Sequence, residues 1–123
     1  MPDQIIVLVA EDEELVRLVI AEVLQDEGFE VIEAEHAEAA LAILQIHAAR
    51  IIHVLFTDIQ MPGTMDGLAL AHHTAKYWPR IALLITSVRL SPDRATLPKN
   101  SRFLPKPYRH HHVFRHIREL AAA

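Results

Sequence analysis

Apolar residues gather in five short runs, at 5–10, 29–34, 52–57, 81–86 and 102–105, each bounded by polar or turn-forming residues. That length and flanking predict strands, and the nearly unbroken apolar character of three of them predicts burial on both faces. Between the runs the apolar positions shift to helical spacing. Leu15, Val16, Val19, Ile20, Val23 and Leu24 form one such set, which Gly28 ends. Residues 36–49 form an Ala-rich helix with Ala37, Ala40, Leu41, Leu44 and Ala48 on one face. Asp66 can cap a helix that runs to Tyr77 and stops at Trp78-Pro79. Ser91-Pro92-Asp93 reads as an N-cap with proline in the first turn, but Pro98 limits this fourth helix to a turn or two. The fifth helix, 109–120, offers Val113, Phe114, Ile117 and Leu120 to the core. Pro105 predicts that the fifth strand lies at a sheet edge, since proline lacks a ladder donor.

Strand and helix thus alternate five times. Right-handed crossovers then give an α/β fold, a doubly wound parallel sheet covered on both faces. The expected arrangement is a flavodoxin-like (βα)5 unit with strand order 2-1-3-4-5 and a short fourth helix.

The length of 123 residues fits a single domain, 1–123, and 51% hydrophobic with 23% charged residues excludes a disordered chain. The absence of cysteine excludes a disulfide framework and zinc–thiolate chemistry. No apolar run reaches membrane-spanning length and Met1-Pro2-Asp3-Gln4 lacks a basic signal region, so a cytoplasmic protein is expected. The net charge of −4 conceals a division: residues 1–66 hold 14 acids and 2 bases, and residues 67–123 hold 2 acids and 10 bases. The halves can compensate each other across the fold, or the second can present a basic face to an acidic partner.

The third run carries His53-Val54-Leu55-Phe56-Thr57 directly into Asp58, and Met61-Pro62-Gly63 turns the chain away. Ligands of open α/β sheets bind at the carboxyl ends of the strands, where Asp58 falls. The first strand ends in Glu11-Asp12-Glu13-Glu14. Glu13 and Glu14 suit the dipole of the helix that follows, whereas Glu11 and Asp12 sit at the junction itself. In the expected strand order, Glu11, Asp12 and Asp58 converge on one crevice, with Thr86 and Lys106 on its far side. Three carboxylates together require a raised pKa, a metal or a lysine. Carboxylate and carbonyl oxygens suit Mg²⁺, and Lys106 offers a mobile positive charge. A carboxylate beside such groups and a hydroxyl is equipped to attack phosphorus and form an acyl phosphate on Asp58.

Val9-Ala10-Glu11-Asp12-Glu13-Glu14, the run from Phe56 to Gly67, Ile85-Thr86-Ser87 and Phe103-Leu104-Pro105-Lys106-Pro107-Tyr108 together resemble the receiver domain of two-component response regulators. The resemblance covers essentially the whole chain, in order and spacing, and is similar to stand-alone receivers and those of hybrid kinases. It implies phosphotransfer from a sensor histidine kinase or phosphotransfer protein, with Mg²⁺ as cofactor, in a signalling domain rather than an enzyme. Residue by residue it implies Asp58 as phosphoacceptor, Asp12 as direct metal ligand, Glu11 as the second acid and the Gln60 backbone carbonyl in the metal shell. It further implies Thr86 as switch hydroxyl, Lys106 as phosphate-pairing lysine, Phe103 as an aromatic that turns inward on activation, and a cis peptide before Pro107.

Some features depart from the family pattern. The first acid is Glu11 where Asp is more usual, and the turn from Pro62 to Gly67 is a residue longer than in the shortest members. The short fourth helix weakens the family's usual dimer face. The family tunes hydrolysis of its phosphoryl group at positions matching Gln60 and Val88. Val88 offers no polar group to hold water, so a long-lived phosphoryl group is expected. Arg89, Arg94, Lys99, Arg102, Arg109, Arg115 and Arg118 surround the fourth helix, fifth strand and fifth helix, where an acidic partner surface is expected.

Other functions fit less well. A phosphorylation-independent interaction module leaves a complete acidic pocket unused. A flavin protein would want a Ser/Thr/Gly-rich phosphate loop where Glu11-Asp12-Glu13-Glu14 stands. A haloacid-dehalogenase-type phosphatase would want its nucleophile on the first strand. Nucleic-acid binding has no recognition helix to support it. His110-His111-His112 and the i, i+4 pair His112 and His116 read as surface histidines rather than a metal site.

Overall fold

The computed structural model describes residues 4–88 and 96–122, with side chains for all of these except 47–50. Strands β1 (Ile6–Ala10), β2 (Glu30–Ala34), β3 (Val54–Asp58), β4 (Ala82–Ser87) and β5 (Ser101–Pro105) form one sheet in the order β2-β1-β3-β4-β5. Every pairing is parallel. Helices α1 (Glu14–Asp26), α2 (Ala37–Ile51), α3 (Gly67–Tyr77) and α4 (His110–Ala122) cover it. The α/β class and the 2-1-3-4-5 order therefore stand as the alternation of runs predicts. The expected short fourth helix, from Ser91, falls largely outside the described residues, as do Arg89 and Arg94.

Strand periodicity divides the core. Leu8, Ala10, Leu55, Leu83 and Ile85 point to one face, where Leu44 of α2 and Leu70 and Ala71 of α3 bury them. Val7, Val9, Val54, Phe56, Ala82 and Leu84 point to the other face, against Ile20 and Leu24 of α1 and Val113 and Ile117 of α4. β3 and β4 are buried along their whole length, which is why their sequences show no polar alternation.

Local signals set most element ends. Asp66 caps α3, its Oδ1 accepting from the Ala69 amide at 2.8 Å. His36 caps α2 in the same way, its Nδ1 accepting from the Ala39 amide at 3.0 Å. Gly28 closes the end of α1 at φ 103°, in the left-handed region that favours glycine. Among the described residues β5 pairs with β4 alone, which makes it the edge strand that Pro105 predicts.

Element ends shift by a residue or two from the sequence reading, and the buried face of α1 is narrower than its apolar set. β3 starts at Val54 and includes Asp58, rather than running from 52 to 57. On α1, Leu15 and Val19 are 78% and 51% exposed, and only Ile20, Ala21 and Leu24 are buried. The apolar set on α1 is wider than the stripe one helix can press onto a sheet, so its outer members face outward.

Candidate functional site

The carboxyl ends of β1, β3 and β4 meet at one edge of the sheet, as their register requires. Asp58 lies opposite Thr86, and Ala10 opposite Thr57. Asp58 ends β3 almost wholly buried. Its Oδ1 accepts from the Gln60 amide at 3.1 Å and its Oδ2 from Lys106 Nζ at 2.7 Å. The backbone behind it is fixed as well. The Thr57 hydroxyl donates to the Asp58 carbonyl at 3.0 Å, and the Ile59 amide to the Thr86 carbonyl at 2.9 Å.

Gly67, the first residue of α3, lies directly against that carbonyl. A Cβ there would stand 1.7 Å from the Asp58 carbonyl oxygen. Only glycine lets the helix start so close to the strand end.

Glu11 extends β1 by one bond, its amide donating to the Ala34 carbonyl at 3.1 Å. Its side chain is buried, with Oε1 accepting from Lys106 Nζ at 3.0 Å and Oε2 from the Glu13 amide at 3.2 Å. Arg17 steadies this junction, donating to the Glu11 carbonyl at 3.0 Å and to Glu33 Oε1 at 3.3 Å. Asp12 follows, half-buried at the rim.

Lys106 enters from beyond β5. Its amide donates to the Ser87 carbonyl at 2.9 Å, and the Lys106–Pro107 peptide is cis, as expected. One ammonium thus ties two acids from different strands. Burial alone would lower the Lys106 pKa, but its hydrogen bonds and charge contacts with Asp58 and Glu11 outweigh this and raise it. Burial raises the Glu11 pKa despite the lysine and the Glu13 amide. Burial also raises the Tyr108 hydroxyl.

Thr86 completes the cluster. Its Oγ1 is buried and has no hydrogen-bond partner among the described residues. It lines a small cavity with Val9, Glu11, Phe56, Asp58 and Tyr108. A buried hydroxyl without a partner is costly, and this one faces a cavity that Glu11 and Asp58 also line. Phe103 pairs in register with Ile85 and is half-buried against the Leu83–Ile85 face of the core.

Glu11, Asp58, Gln60, Thr86 and Lys106 thus come together, with Asp12 beside them. Phe103 lies one strand away. Three contacts brace the surroundings of this cluster, and two of them, from Arg17 and Glu38, carry no signal in the linear pattern. The Ser87 hydroxyl donates to Gln60 Oε1 at 2.6 Å. Arg17 grips the Glu11 carbonyl. Glu38, on α2, accepts from the Thr64 amide and hydroxyl and the Met65 amide, at 2.9, 2.8 and 3.2 Å, anchoring the lengthened turn after β3.

The donor chemistry fits a hard dication: the carboxylates of Glu11 and Asp58 are buried side by side on one ammonium, with Asp12 next in the chain. Among the described residues, no three His, Cys, Asp or Glu side chains are gathered tightly enough to enclose a metal by themselves. Mg²⁺ is commonly held through one or two carboxylates with several waters, which suits a site of this kind. On α4, His116 Nδ1 lies 3.1 Å from the Arg102 guanidinium, and burial followed by Arg102 lowers its pKa. No described helix is long and apolar enough to cross a membrane.

The chain is 32% identical over 105 residues to the transcriptional regulatory protein PdtaR of Mycobacterium tuberculosis H37Rv, covering 83% of this chain and 49% of that protein. It therefore spans about half the length of that relative. It is 29% identical over 118 residues to the response regulator receiver protein CpdR of Brucella abortus, covering 93% of this chain and 88% of the other. Among solved structures, the receiver domain of the hybrid histidine kinase CckA superposes with a TM-score of 0.81 at 30% identity, covering 94% of this chain and 98% of that one. A response regulator receiver protein from Sinorhizobium medicae shares the fold with a TM-score of 0.89 at 24% identity, over 98% and 97% of the two chains. With residues 7–118 also matched by the family model of the response regulator receiver domain, this chain belongs to that family.

Proposed function

We propose that this chain, as a single receiver unit, accepts a phosphoryl group on Asp58 from the histidine of a sensor kinase or phosphotransfer protein. The observation that carries this reading is the Lys106 ammonium held between Asp58 and Glu11 beside the unpartnered Thr86 hydroxyl. Asp58 Oδ attacks phosphorus, the bond from phosphorus to the donor nitrogen breaks, and its electron pair returns to the imidazole. Lys106 then pairs with a phosphoryl oxygen, and Thr86 gains the acceptor it lacks. Glu11, Asp12, Asp58 and the Gln60 carbonyl would hold Mg²⁺, which when bound neutralises charge on the phosphoryl oxygens.

Movement of Thr86 toward the phosphoryl group would open space on the strand beside it. Phe103, in register with Ile85 next to Thr86, would respond by turning further in. The changed surface of β5 and α4 would then meet an acidic partner. Lys99, Arg109 and Arg115 are exposed there, whereas Arg102 pairs with Glu119 and Arg118 with Glu27.

Intact-mass measurement after incubation with acetyl phosphate and Mg²⁺ tests the reading. One added phosphoryl group is expected on the wild type, with none on Asp58→Asn and none without metal. A folded wild type that takes up nothing from acetyl phosphate or from any histidine-phosphorylated donor would favour a phosphorylation-independent interaction module.

A further inference from the structure

We infer that Ser87 prolongs the life of the phosphorylated state by sequestering the side-chain oxygen of Gln60. This rests on Asp58 being the acceptor. Hydrolysis of an aspartyl phosphate needs a water in line with the bond being broken. The water oxygen bonds to phosphorus, the P–O bond to Asp58 breaks, and its electron pair stays on the carboxylate. One water proton remains on the departing phosphate and the other passes to solvent. A neighbouring oxygen that accepts a hydrogen bond from that water orients it and speeds the step.

Gln60, two residues beyond Asp58, carries such an oxygen. It is exposed at the rim, and its own amide nitrogen donates to Asp58 Oδ1 at 3.1 Å. Its Oε1 is pinned, accepting from the Ser87 hydroxyl at 2.6 Å. Ser87 is 1% exposed at the end of β4, where its carbonyl also accepts from the Lys106 amide. The hydroxyl is therefore fixed by the sheet. To bring its oxygen to such a water Gln60 must break this bond, and its NH₂ group, a donor only, cannot accept from an attacking water. Val88, which follows, is 70% exposed and apolar, so it supplies no substitute. Ser87 is a positioning residue here, acting only through Gln60.

The test is the decay of the Asp58 adduct, followed by intact mass after removal of the donor. Ser87→Ala should take up the phosphoryl group as the wild type does and lose it about fivefold faster, the worth of one ordinary hydrogen bond. Ser87→Thr, which keeps the hydroxyl, should restore the slow decay. Combining Ser87→Ala with Gln60→Met should abolish the acceleration, because no oxygen remains to be released. Nuclear magnetic relaxation of the Gln60 side-chain NH₂ in the unphosphorylated wild type gives an independent measure: that group should be as ordered as the backbone.

Equal decay in Ser87→Ala and wild type would overturn the inference while leaving the acceptor intact. Acceleration that persists in the double variant would overturn it too, assigning the effect to a widened site. A freely mobile Gln60 amide in the wild type would overturn it whether or not the variants fold. Absence of any adduct on the wild type would overturn the acceptor reading, and the inference with it.

Discussion

Glu11 is the residue where site chemistry and stability oppose each other. Burial raises its pKa, so the folded chain binds that proton more tightly than the unfolded chain. Whatever stability it contributes is fully present below the ordinary glutamate pKa and is lost as pH rises through the folded value. At neutral pH burial of the charged carboxylate therefore works against stability. Glu11→Gln removes the titration, and Lys106 keeps Asp58 as a counter-charge. The variant should be more stable than the wild type by about 1 kcal/mol at pH 7, with the gap closing toward pH 4, in urea melts at both pH values. A variant less stable at pH 7 would show that the lysine bond outweighs burial. At this scale the sequence revealed the groups that terminate strands. Asp58, Glu11 and Thr86 each end an apolar run, and parallel strands bring such ends together. It could not reveal Ser87 gripping Gln60 or Glu38 gripping the Thr64 turn, because those bonds depend on side-chain reach across 27 and 26 residues of sequence.

Among the elements, the start of α3 controls the end of β3. Gly67 sits so close to the Asp58 carbonyl that Gly67→Ala must push helix and strand apart, since the obstacle is backbone rather than a flexible side chain. A loss of about 3 kcal/mol is expected in chemical denaturation, with slower uptake of phosphoryl groups as Asp58 shifts. Gly28→Ala is the matched control. It strains a left-handed residue just before β2, at the opposite edge of the sheet, so it should cost about 1 kcal/mol and leave uptake unchanged. Normal uptake by Gly67→Ala would mean the site tolerates displacement of its own strand end. Elements with strong periodicity were legible: β4 was expected at 81–86 and stands at Ala82–Ser87. α1 was legible as a helix but not in its buried face, because Leu15 and Val19 share its period without sharing its stripe. Gly67 itself gave no warning. A glycine opening a helix looks ordinary until the carbonyl beside it is known.

For the whole molecule, strand order was legible because alternation and handedness leave few topologies open, whereas the use of the charge division was not. The structure shows compensation for some of these bases and leaves others exposed. Arg118 pairs with Glu27 at 2.8 Å, and Lys106 pairs with Glu11 and Asp58, so part of the basic half does compensate the acidic half. Lys99, Arg109 and Arg115 remain exposed around β5 and α4. A local basic field should therefore survive on a protein whose net charge is −4. The protein should be retained on a cation exchanger at neutral pH and low salt, and released as salt approaches about 0.15 M, where screening acts within about 8 Å. Reversing Arg109 and Arg115 to glutamate should abolish retention. Reversing Lys76 and Arg80, exposed at the far end of α3, changes the net charge equally and should preserve it. Equal loss in both double variants would mean that overall charge governs the interaction, and that β5 and α4 present no distinct face to an acidic partner.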